Sequence, residues 1–449
     1  MGFRSVNFSP EGLFLIGLFE VFNTSGIRYA VMRNHLTLPF SAGGSDLDLI
    51  VDEADEAVAK VLIAKAISKA GGTSLGSIQT YGFYKVFALG RNVDADGGWW
   101  GLCIDINFGL FFQGQRLLAK NVQWPTNNYR GITVLTEDFA GVLGVLKEVL
   151  NNRTMPQKYS DAARKGVLCN WQEISCLLAP MGVSTLNLLH KLLLSDNVLE
   201  NRVIEFDLVR NAFFRHALIS KPVKYLVGRS SYEWSKAKRY FNPSGKVVAI
   251  LGVDGAGKST IINAIKPVLD MATHNTVVVQ HLRPTIFPPL SRLKGKAATI
   301  NVPVLDPHEQ KPSGKAVSLF RLVYLMLDYV FGYWLKTRPM IAKQPTLVIF
   351  DRYAYDIIID PLRFRIGLPA KLIRAMVWIA PKPDLIICLY GNPRVLQIRK
   401  LELPLGEVER QVRALKQFAS TRSNSYLVST EKSISETSSD VLKIMLKKC

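Results

Sequence analysis

The chain has 449 residues and a net charge of +20, with 48% hydrophobic and 20% charged residues. This length exceeds what one hydrophobic core usually serves, so two or three domains are expected, and the composition excludes a disordered protein. The charge is uneven: from Gly245 onward 30 Lys and Arg stand against 15 Asp and Glu, a net of +15, compared with 26 against 21, a net of +5, before it.

This basic C-terminal half favours anionic partners, either phosphorylated small molecules or peripheral contact with an anionic membrane surface. Nucleic acid is not expected, since no zinc-ligand spacing or RNA-binding aromatic signature occurs. Five scattered cysteines without a Cys-x-x-Cys pair favour a reduced, cytoplasmic protein. Residues 316–336 reach membrane-spanning length, but Arg321 and Asp328 interrupt them, so a core helix is expected, with a membrane-surface helix as the alternative. The oligomeric state stays open, with a dimer among the options.

The first 136 residues are predicted to form an α+β domain. The stretch "GLFLIGLFEVFNTSG" predicts an amphipathic helix and a turn, followed by a strand near Tyr29 to Arg33. The segment "SDLDLIVD" predicts a second strand, and "ADEAVAKVLIAKAISKAGG" predicts a helix that ends at its glycines. Two further strands are expected at "GFYKVFAL" and "WWGLCIDINF".

Three aspartates on these strands are candidate metal ligands. Asp46 and Asp48 are two residues apart on one strand, so their carboxylates share a face. Asp105 in "GLCIDINF" would complete a platform for two divalent cations and for nucleotidyl transfer. The alternative is a strand that leaves a Gly-Ser turn with polar residues facing water.

This part of the chain resembles the DNA polymerase β-like nucleotidyltransferases, whose pattern is a Gly-Ser turn, nine to thirteen residues and then Asp-x-Asp. Arg33 and Asn34 occupy the turn position here, eleven residues before Asp46. The pattern "YAVMRNH…LPF…GGSDLDLIVD" resembles more closely the nucleotidyltransferase-like proteins encoded near bacterial surface-polysaccharide genes. With the later "HLRP", "DPHE", "GYWLK" and "LPLGEVERQ", the whole chain resembles a two-part fusion from that setting, which implies a sugar or glycan context.

From Glu137 to about Lys238 the pattern is helical, with leucine clusters such as "STLNLLHKLLL", and a basic linker "SKAKRYFNPSG" follows. Beyond it, the strands "VVAIL", "NTVVVQHL", "TLVIFD", "DLIICLY" and "SYLVS" alternate with helical stretches, which predicts an α/β domain with a parallel sheet covered by helices on both faces. The predicted domains are therefore 1–136, a helical connection 137–242, and 243–449.

The third region carries a phosphate-binding sequence. Residues 252–260, here called the phosphate loop, match G-x-x-x-x-G-K-[ST] between a predicted strand and a predicted helix. We expect ATP with Mg²⁺ as cofactor, since backbone N–H groups can surround the phosphates, Lys258 can reach the terminal phosphates and Ser259 can hold the metal. Asp351, at the end of "TLVIFD", is the second candidate Mg²⁺ group, although it could be an ordinary strand-end aspartate. The candidate nucleotide-binding residues are Gly252, Gly255, Ala256, Gly257, Lys258, Ser259 and Thr260.

"GVDGAGKST" together with "FDRY" resembles the thymidylate kinase branch of the P-loop nucleoside monophosphate kinases, over roughly residues 245–446. The resemblance implies that Asp254 faces the acceptor, that Arg352 holds the acceptor or the moving phosphoryl group, and that Asp351 serves the metal. It also implies a lid arginine. Arg399 is the predicted catalytic lid residue, and Lys400, Arg410 and Arg413 are further candidates.

The acceptor is less well defined than the donor. Thymidylate kinases carry Arg-Glu-Pro-Gly after their second strand, whereas this chain has "QHLRPTIFPPL" with Arg283, followed by "VPVLDPHEQKPSGK". The sequence thus predicts a phosphotransferase acting on a nucleotide or on a sugar or glycan intermediate of surface-polysaccharide synthesis. Two alternatives remain: nucleotidyl transfer at the three N-terminal aspartates, and a non-catalytic protein whose partner binding responds to nucleotide.

Overall fold

The structure is a computed structural model that describes residues 8–92, 98–195, 203–288, 312–344 and 346–448. It divides the chain into two compact units, Met1–Lys238 and Arg239–Cys449. The division of the chain into three domains stays a prediction.

The N-terminal unit is built around a mixed seven-stranded sheet in the order β3-β4-β5-β2-β1-β9-β8, with β6 and β7 pairing separately. Strands β1 and β2 are antiparallel, whereas β2 and β5 are parallel. The strands of this unit are β1 (Tyr29–Val31), β2 (Leu47–Val51), β3 (Gly72–Thr80), β4 (Phe83–Arg91), β5 (Trp99–Phe108), β6 (Phe111–Phe112), β7 (Gln115–Arg116), β8 (Thr126–Tyr129) and β9 (Ile132–Leu135).

Helices cover both faces of this sheet. Alternate residues of β2 point to opposite faces: Leu49 packs in the core that contains α1 and α2, and Ile50 packs in the core that contains α3 to α6. Both residues are fully buried. The helices of this unit are α1 (Pro10–Ser25), α2 (Glu56–Lys69), α3 (Glu137–Asn152), α4 (Gln157–Leu177), α5 (Val183–Leu194), α6 (Val203–Ser220) and α7 (Pro222–Phe241), the last of which runs three residues into the second unit, with short 3₁₀ turns at Glu53–Asp55 and Ala179–Met181.

The C-terminal unit contains a five-stranded sheet in the order β11-β12-β10-β13-β14, and every strand pair in it is parallel. The predicted α/β fold class is therefore confirmed for this unit. Its strands are β10 (Lys246–Gly252), β11 (Val278–His281), β12 (Leu347–Asp351), β13 (Leu385–Tyr390) and β14 (Ser425–Ser429).

Both faces of this sheet are also covered. Val247, Ala249 and Leu251 of β10 lie in a core shared with helices α9, α12 and α14, while α8 and α15 pack against each other and against the sheet. The helices are α8 (Lys258–Thr273), α9 (Lys315–Gly332), α10 (Arg338–Lys343), α11 (Asp356–Ile359), α12 (Ala370–Val377), α13 (Pro393–Arg399), α14 (Leu405–Ser420) and α15 (Ile434–Lys448), with a π-helical turn at Tyr333–Thr337 and a 3₁₀ turn at Leu362–Phe364.

The apolar stretch Lys315–Lys343 is long and apolar enough, by length and composition, to cross a membrane, and 33% of its most apolar window is buried in the structure. One such helix is weak evidence for a membrane span, because core helices of globular proteins can be equally long and apolar. Asp328 on this helix is 0% exposed. It pairs with Arg283 at 3.3 Å and accepts a hydrogen bond from the backbone N–H of Phe287 at 2.7 Å. The negative charge of Asp328, one of the two that interrupt the apolar stretch, is thus compensated inside the protein.

Candidate functional site

The phosphate loop joins the end of β10 to the start of α8 at the carboxyl edge of the parallel sheet. Ligands of open α/β sheets bind at this edge. Gly255 and Gly257 have φ angles of 80° and 75°, which side-chain-bearing residues rarely adopt. A Cβ on Gly255 would also lie 2.5 Å from the carbonyl oxygen of Leu396. The two glycines therefore give the loop a shape that a substituted residue would disturb.

Lys258 points back over this loop from the first position of α8. Its ammonium group donates to the carbonyl oxygens of Gly252 at 2.9 Å and Val253 at 3.1 Å, and the residue is only 7% exposed. Burial and, to a smaller extent, the neighbouring Arg352 lower the pKa of Lys258 to about 8, although nearby aspartates oppose this shift. The chain thus holds a buried ammonium group at the mouth of the loop.

The first turn of α8 offers backbone donors beside this ammonium. Gly257 is the N-cap residue, and no described side chain accepts a hydrogen bond from the helix start. The first N–H groups of a helix lack intrahelical partners and attract anions. Among the other predicted loop residues, Ala256 is buried, whereas Ser259 and Thr260 are exposed in this first turn.

Ser259 and Asp351 come together across the sheet edge. The Ser259 hydroxyl donates to Asp351 Oδ2 at 2.9 Å, and His281 Nδ1 lies 3.7 Å from the same oxygen. The register of the parallel strands explains this meeting, because Asp351 ends β12 between Ile250 of β10 and His281 of β11. Asp351 Oδ1 is buried and has no hydrogen-bond partner among the described residues.

This pair fits the Mg²⁺ ion that the sequence predicts. Both donors are oxygens, which Mg²⁺ prefers, and a metal usually binds through one or two protein groups plus substrate phosphates and water. The unpartnered Asp351 Oδ1 is also an acceptor that a bound cation or its water would satisfy. Ser259 and Asp351 are the residues that would hold the ion.

Asp254, inside the loop, is surrounded by cations. Arg352 and Arg363 both donate to its carboxylate, and the ammonium groups of Lys258 and Lys400 lie 3.9 and 3.8 Å away. Burial alone would raise the pKa of Asp254, but the charges of Arg352, Lys258, Arg363 and Lys400 outweigh it and hold the pKa well below its ordinary value. The resemblance implied that Asp254 faces the acceptor; in the structure its carboxylate accepts from Arg352 and Arg363, and its position relative to an acceptor stays a prediction.

The depressed pKa of Asp254 predicts a specific pH dependence of stability. Its stabilising charge interactions are complete above the ordinary pKa of 3.8 and are lost as the pH falls toward the lower value of the folded chain. Asp254→Asn should therefore cost less stability at pH 3 than at pH 7, by about 1 kcal/mol, since one pKa unit corresponds to about 1.4 kcal/mol. Urea unfolding midpoints at the two pH values measure this difference.

The exposed Glu409→Gln serves as the control, and its effect should not change in this way. An equal cost of Asp254→Asn at both pH values would contradict the ion-pair assignment.

Arg352 holds a strained position directly after β12. Its φ of 75° lies in the left-handed region, which costs a non-glycine residue roughly 1 kcal/mol or more. The residue is 8% exposed, and its guanidinium contacts Asp254 and, at 3.3 Å, Asp356. Asp356 also accepts from the backbone N–H of Tyr353 at 2.9 Å. The buried Asp356 and the largely shielded Asp254 therefore fix the Arg352 side chain beside the phosphate loop.

The predicted lid residues take different positions. Lys400 reaches Asp254 and also pairs with Glu402 at 2.9 Å. Arg399, at the end of α13, is exposed and has no ion-pair partner among the described residues, although its Cβ would lie 3.5 Å from a Cβ placed on Gly255. Arg410 pairs with Glu407 of its own helix, and Arg413 is exposed. Of these candidates, the described structure brings only Lys400 to the site, and the catalytic role of Arg399 stays a prediction.

Sequence reasoning missed Arg363 and Asp356. Arg363 lies in a short 3₁₀ turn, Leu362–Phe364, twelve residues after β12, and nothing in its local pattern separates it from other surface arginines. The only available signal was the run of acids and arginines in "DRYAYDIIIDPLRF". The segment "VPVLDPHEQKPSGK", where the sequence differs from the thymidylate kinase pattern, lies mostly outside the described residues.

In the N-terminal unit, the structure also brings the three predicted aspartates together. Asp48 and Asp105 are register partners on the parallel strands β2 and β5, and Asp46 directly precedes β2. One ligand atom each from Asp46, Asp105 and Cys103 lie within 4.8 Å of one another, and the thiol donates to Asp105 Oδ1 at 3.5 Å. Sequence reasoning missed Cys103, which faces the same side as Asp105 by the two-residue period of a strand.

Comparison with known proteins finds similarity in one part of the chain. Thymidylate kinases of Xanthomonas campestris pv. campestris, strains B100 and 8004, are each 27% identical over 147 residues, which cover 33% of this chain and 56% of the relative. Part of this chain is similar to thymidylate kinases. The chain spans about half the length of the curated relatives it matches. No protein-family model matches the sequence.

Solved structures give a weak likeness. The thymidylate kinase of Ehrlichia chaffeensis aligns with a TM-score of 0.32 and 15% identity over 45% of this chain and all of that one. The thymidylate kinase of Candida albicans aligns with a TM-score of 0.34 and 17% identity over 45% of this chain and 91% of that one.

Proposed function

We propose that the C-terminal unit is an ATP- and Mg²⁺-dependent phosphotransferase. The observation that carries this proposal is the convergence of Lys258, the Ser259–Asp351 pair and Arg352 at one edge of the parallel sheet. A buried ammonium, free helix N–H groups and an oxygen pair for a metal are the groups that phosphoryl transfer requires. The partial similarity to thymidylate kinases supports the same reaction class.

Each residue has a distinct task in this proposal. Lys258 binds the terminal phosphates of ATP, and the first N–H groups of α8 donate to the remaining phosphate oxygens. Mg²⁺, when bound by Ser259 and Asp351, neutralises phosphate charge. Arg352 orients the transferred group or the acceptor. Because phosphoryl transfer needs little covalent help from the protein, positioning and electrostatic stabilisation supply most of the rate.

The cations near Asp254 favour an anionic acceptor. Four cations lie around Asp254, namely Lys258, Arg352, Arg363 and Lys400. With Asp356 and Glu402, which pair with Arg352 and Lys400, the carboxylates number three, so this group of side chains keeps a net charge of +1. A nucleotide or a phosphorylated sugar or glycan intermediate would supply the missing negative charge. The surface-polysaccharide setting belongs to this proposal and rests on the resemblance of the whole chain described above.

Phosphate transfer from labelled ATP tests the proposed function. The full chain with Mg²⁺ is incubated with deoxynucleoside monophosphates, sugar phosphates and cell-envelope extract, and the labelled products are identified. We expect one acceptor class to become labelled, and the label to be absent with the Lys258→Ala variant. ATP hydrolysis without any labelled acceptor, combined with nucleotide-dependent binding of a partner, would favour the non-catalytic alternative and reject the kinase.

A further inference from the structure

The three aspartates of the N-terminal unit, here called the carboxylate cluster (Asp46, Asp48 and Asp105), are each matched by a cation from another element. Lys85 of β4 lies 2.7 Å from Asp105 and 3.6 Å from Asp46. Its position follows from the antiparallel register, which places Lys85 directly opposite Asp105. A single ammonium group therefore sits between two of the three carboxylates.

Asp48 has its own two cations. Arg33 donates to its Oδ2 and is itself held by the hydroxyl of Tyr159 at 2.8 Å. Lys147 of α3 lies 3.7 Å from Oδ1. Asp48 is 1% exposed, so these contacts are shielded from solvent and weakly screened. Arg33 lies at the position where the nucleotidyltransferase pattern has its Gly-Ser turn. Its guanidinium donates to Asp48 Oδ2, which would otherwise be a candidate metal ligand.

The described geometry does not fit a divalent cation. A metal shared by Asp46 and Asp105 would need oxygens at about 2.0–2.6 Å, in the space that the Lys85 ammonium occupies. Three cations already balance three carboxylates, so an added divalent ion would face uncompensated like charges at short range. Asp48 Oδ1 has no hydrogen-bond partner among the described residues, but Lys147 is its nearest cation and would repel a metal there.

We propose that Lys85, Arg33 and Lys147 take the place of divalent cations, so that the carboxylate cluster is a metal-independent ion-pair network. The network joins β2, β4, β5 and α3, and it stabilises the N-terminal unit. The unit then performs no metal-dependent nucleotidyl transfer. Its role in the protein is structural or in binding, and any metal-dependent catalysis belongs to the C-terminal unit. This inference does not depend on the proposed kinase function.

Manganese binding to the full chain tests the proposal directly. Mn²⁺ is counted by electron paramagnetic resonance in a Ser259→Ala, Asp351→Asn background, which removes the metal groups of the other unit. We expect Asp105→Asn to change nothing in this background. Lys85→Met should create a Mn²⁺ site whose affinity is about tenfold or more above that of the background protein with Lys85, because the substitution frees two carboxylates and removes a like charge. Adding Asp105→Asn to Lys85→Met should abolish that site.

Lys60→Met is the matched control, since the ion-pair partner of Lys60 among the described residues is Glu56 on α2, outside the carboxylate cluster. It should create no Mn²⁺ site. The proposal would be overturned if the background protein bound Mn²⁺ and Asp105→Asn removed that binding. A folded Lys85→Met variant that gains no Mn²⁺ site would also overturn it.

A second measurement decides the case in which Lys85→Met does not fold. Thermal unfolding of the background protein is recorded with and without millimolar Mn²⁺, and again for Asp105→Asn. The proposal predicts that no Mn²⁺ binds at this cluster. Any shift of the unfolding midpoint caused by Mn²⁺ should therefore be equal in the two proteins. A stabilising shift that is present in the background protein and lost in Asp105→Asn rejects the ion-pair network as the native state of the cluster.

Discussion

Lys258→Ala is expected to reduce ATP turnover by about a thousandfold, the upper range for removing one preorganised charge-stabilising donor. The lysine ammonium is buried over the phosphate loop, and within the described part of the chain it contacts only two backbone carbonyls and, at 3.9 Å, the Asp254 carboxylate. Because those carbonyls belong to a loop held by its own glycines and by β10, the fold should survive the substitution. Steady-state ATPase or kinase rates, with circular dichroism to verify folding, measure the effect.

Lys266→Ala is the matched control for this variant. Lys266 lies on the same helix, two turns farther on, and pairs with Asp270 away from the loop. It should retain the parental rate. Unchanged turnover in a folded Lys258→Ala protein would show that the reaction does not use the phosphate loop.

Arg352→Leu is expected to reduce both stability and phosphate transfer. The guanidinium is the shared partner of Asp356, which is buried, and of Asp254, whose side chain is 10% exposed, so its removal deprives two largely shielded carboxylates of this counter-charge. Breaking a buried ion pair in this way costs about 3–5 kcal/mol. The substitution does not relieve the left-handed φ of this position, because leucine carries a Cβ like arginine. The midpoint of urea unfolding and the rate of phosphate transfer are the measurements.

The exposed Arg374→Leu on α12 is the control for loss of a surface arginine, and it should change the midpoint little. Arg352→Lys should retain part of the stability, since the charge remains, but not the transfer rate, because an ammonium lacks the fork that spans two carboxylates. Equal stability of Arg352→Leu and the parent would show that the two carboxylates find other partners.

The sequence was informative where structure is encoded locally. All five strands of the C-terminal sheet were predicted. Strands β10, β12 and β13 are continuous apolar runs typical of a parallel sheet covered on both faces, whereas β11 and β14 are shorter apolar stretches that are partly exposed. Strand β3 was not predicted, since "GTSLGSIQT" contains few apolar residues and gains its place only by pairing with β4. Strands β8 and β9 are four residues long and gave too short a pattern.

The same distinction applies to the candidate sites. The phosphate loop could be read directly because its residues are contiguous, and Asp351 could be predicted because carboxyl ends of parallel strands meet at one edge. The contact of Arg363 with Asp254 could not be predicted, because it depends on the direction of the turn Leu362–Phe364, which no local sequence pattern encodes. In the N-terminal unit, strand periodicity predicted Asp46 and Asp48 on one face of a single strand, whereas Asp46 lies directly before β2. The Lys85 contact follows from the register between β4 and β5, which is a tertiary property.

Binding of ATP by the full chain is the most direct test of the central claim, which is that the phosphate loop binds a nucleotide triphosphate with Mg²⁺. Isothermal titration calorimetry with Mg²⁺ present should give one ATP or GTP per chain, and Lys258→Ala should weaken or abolish this binding while Lys266→Ala retains it. A folded protein that binds neither ATP nor GTP in the presence of Mg²⁺ would contradict the claim.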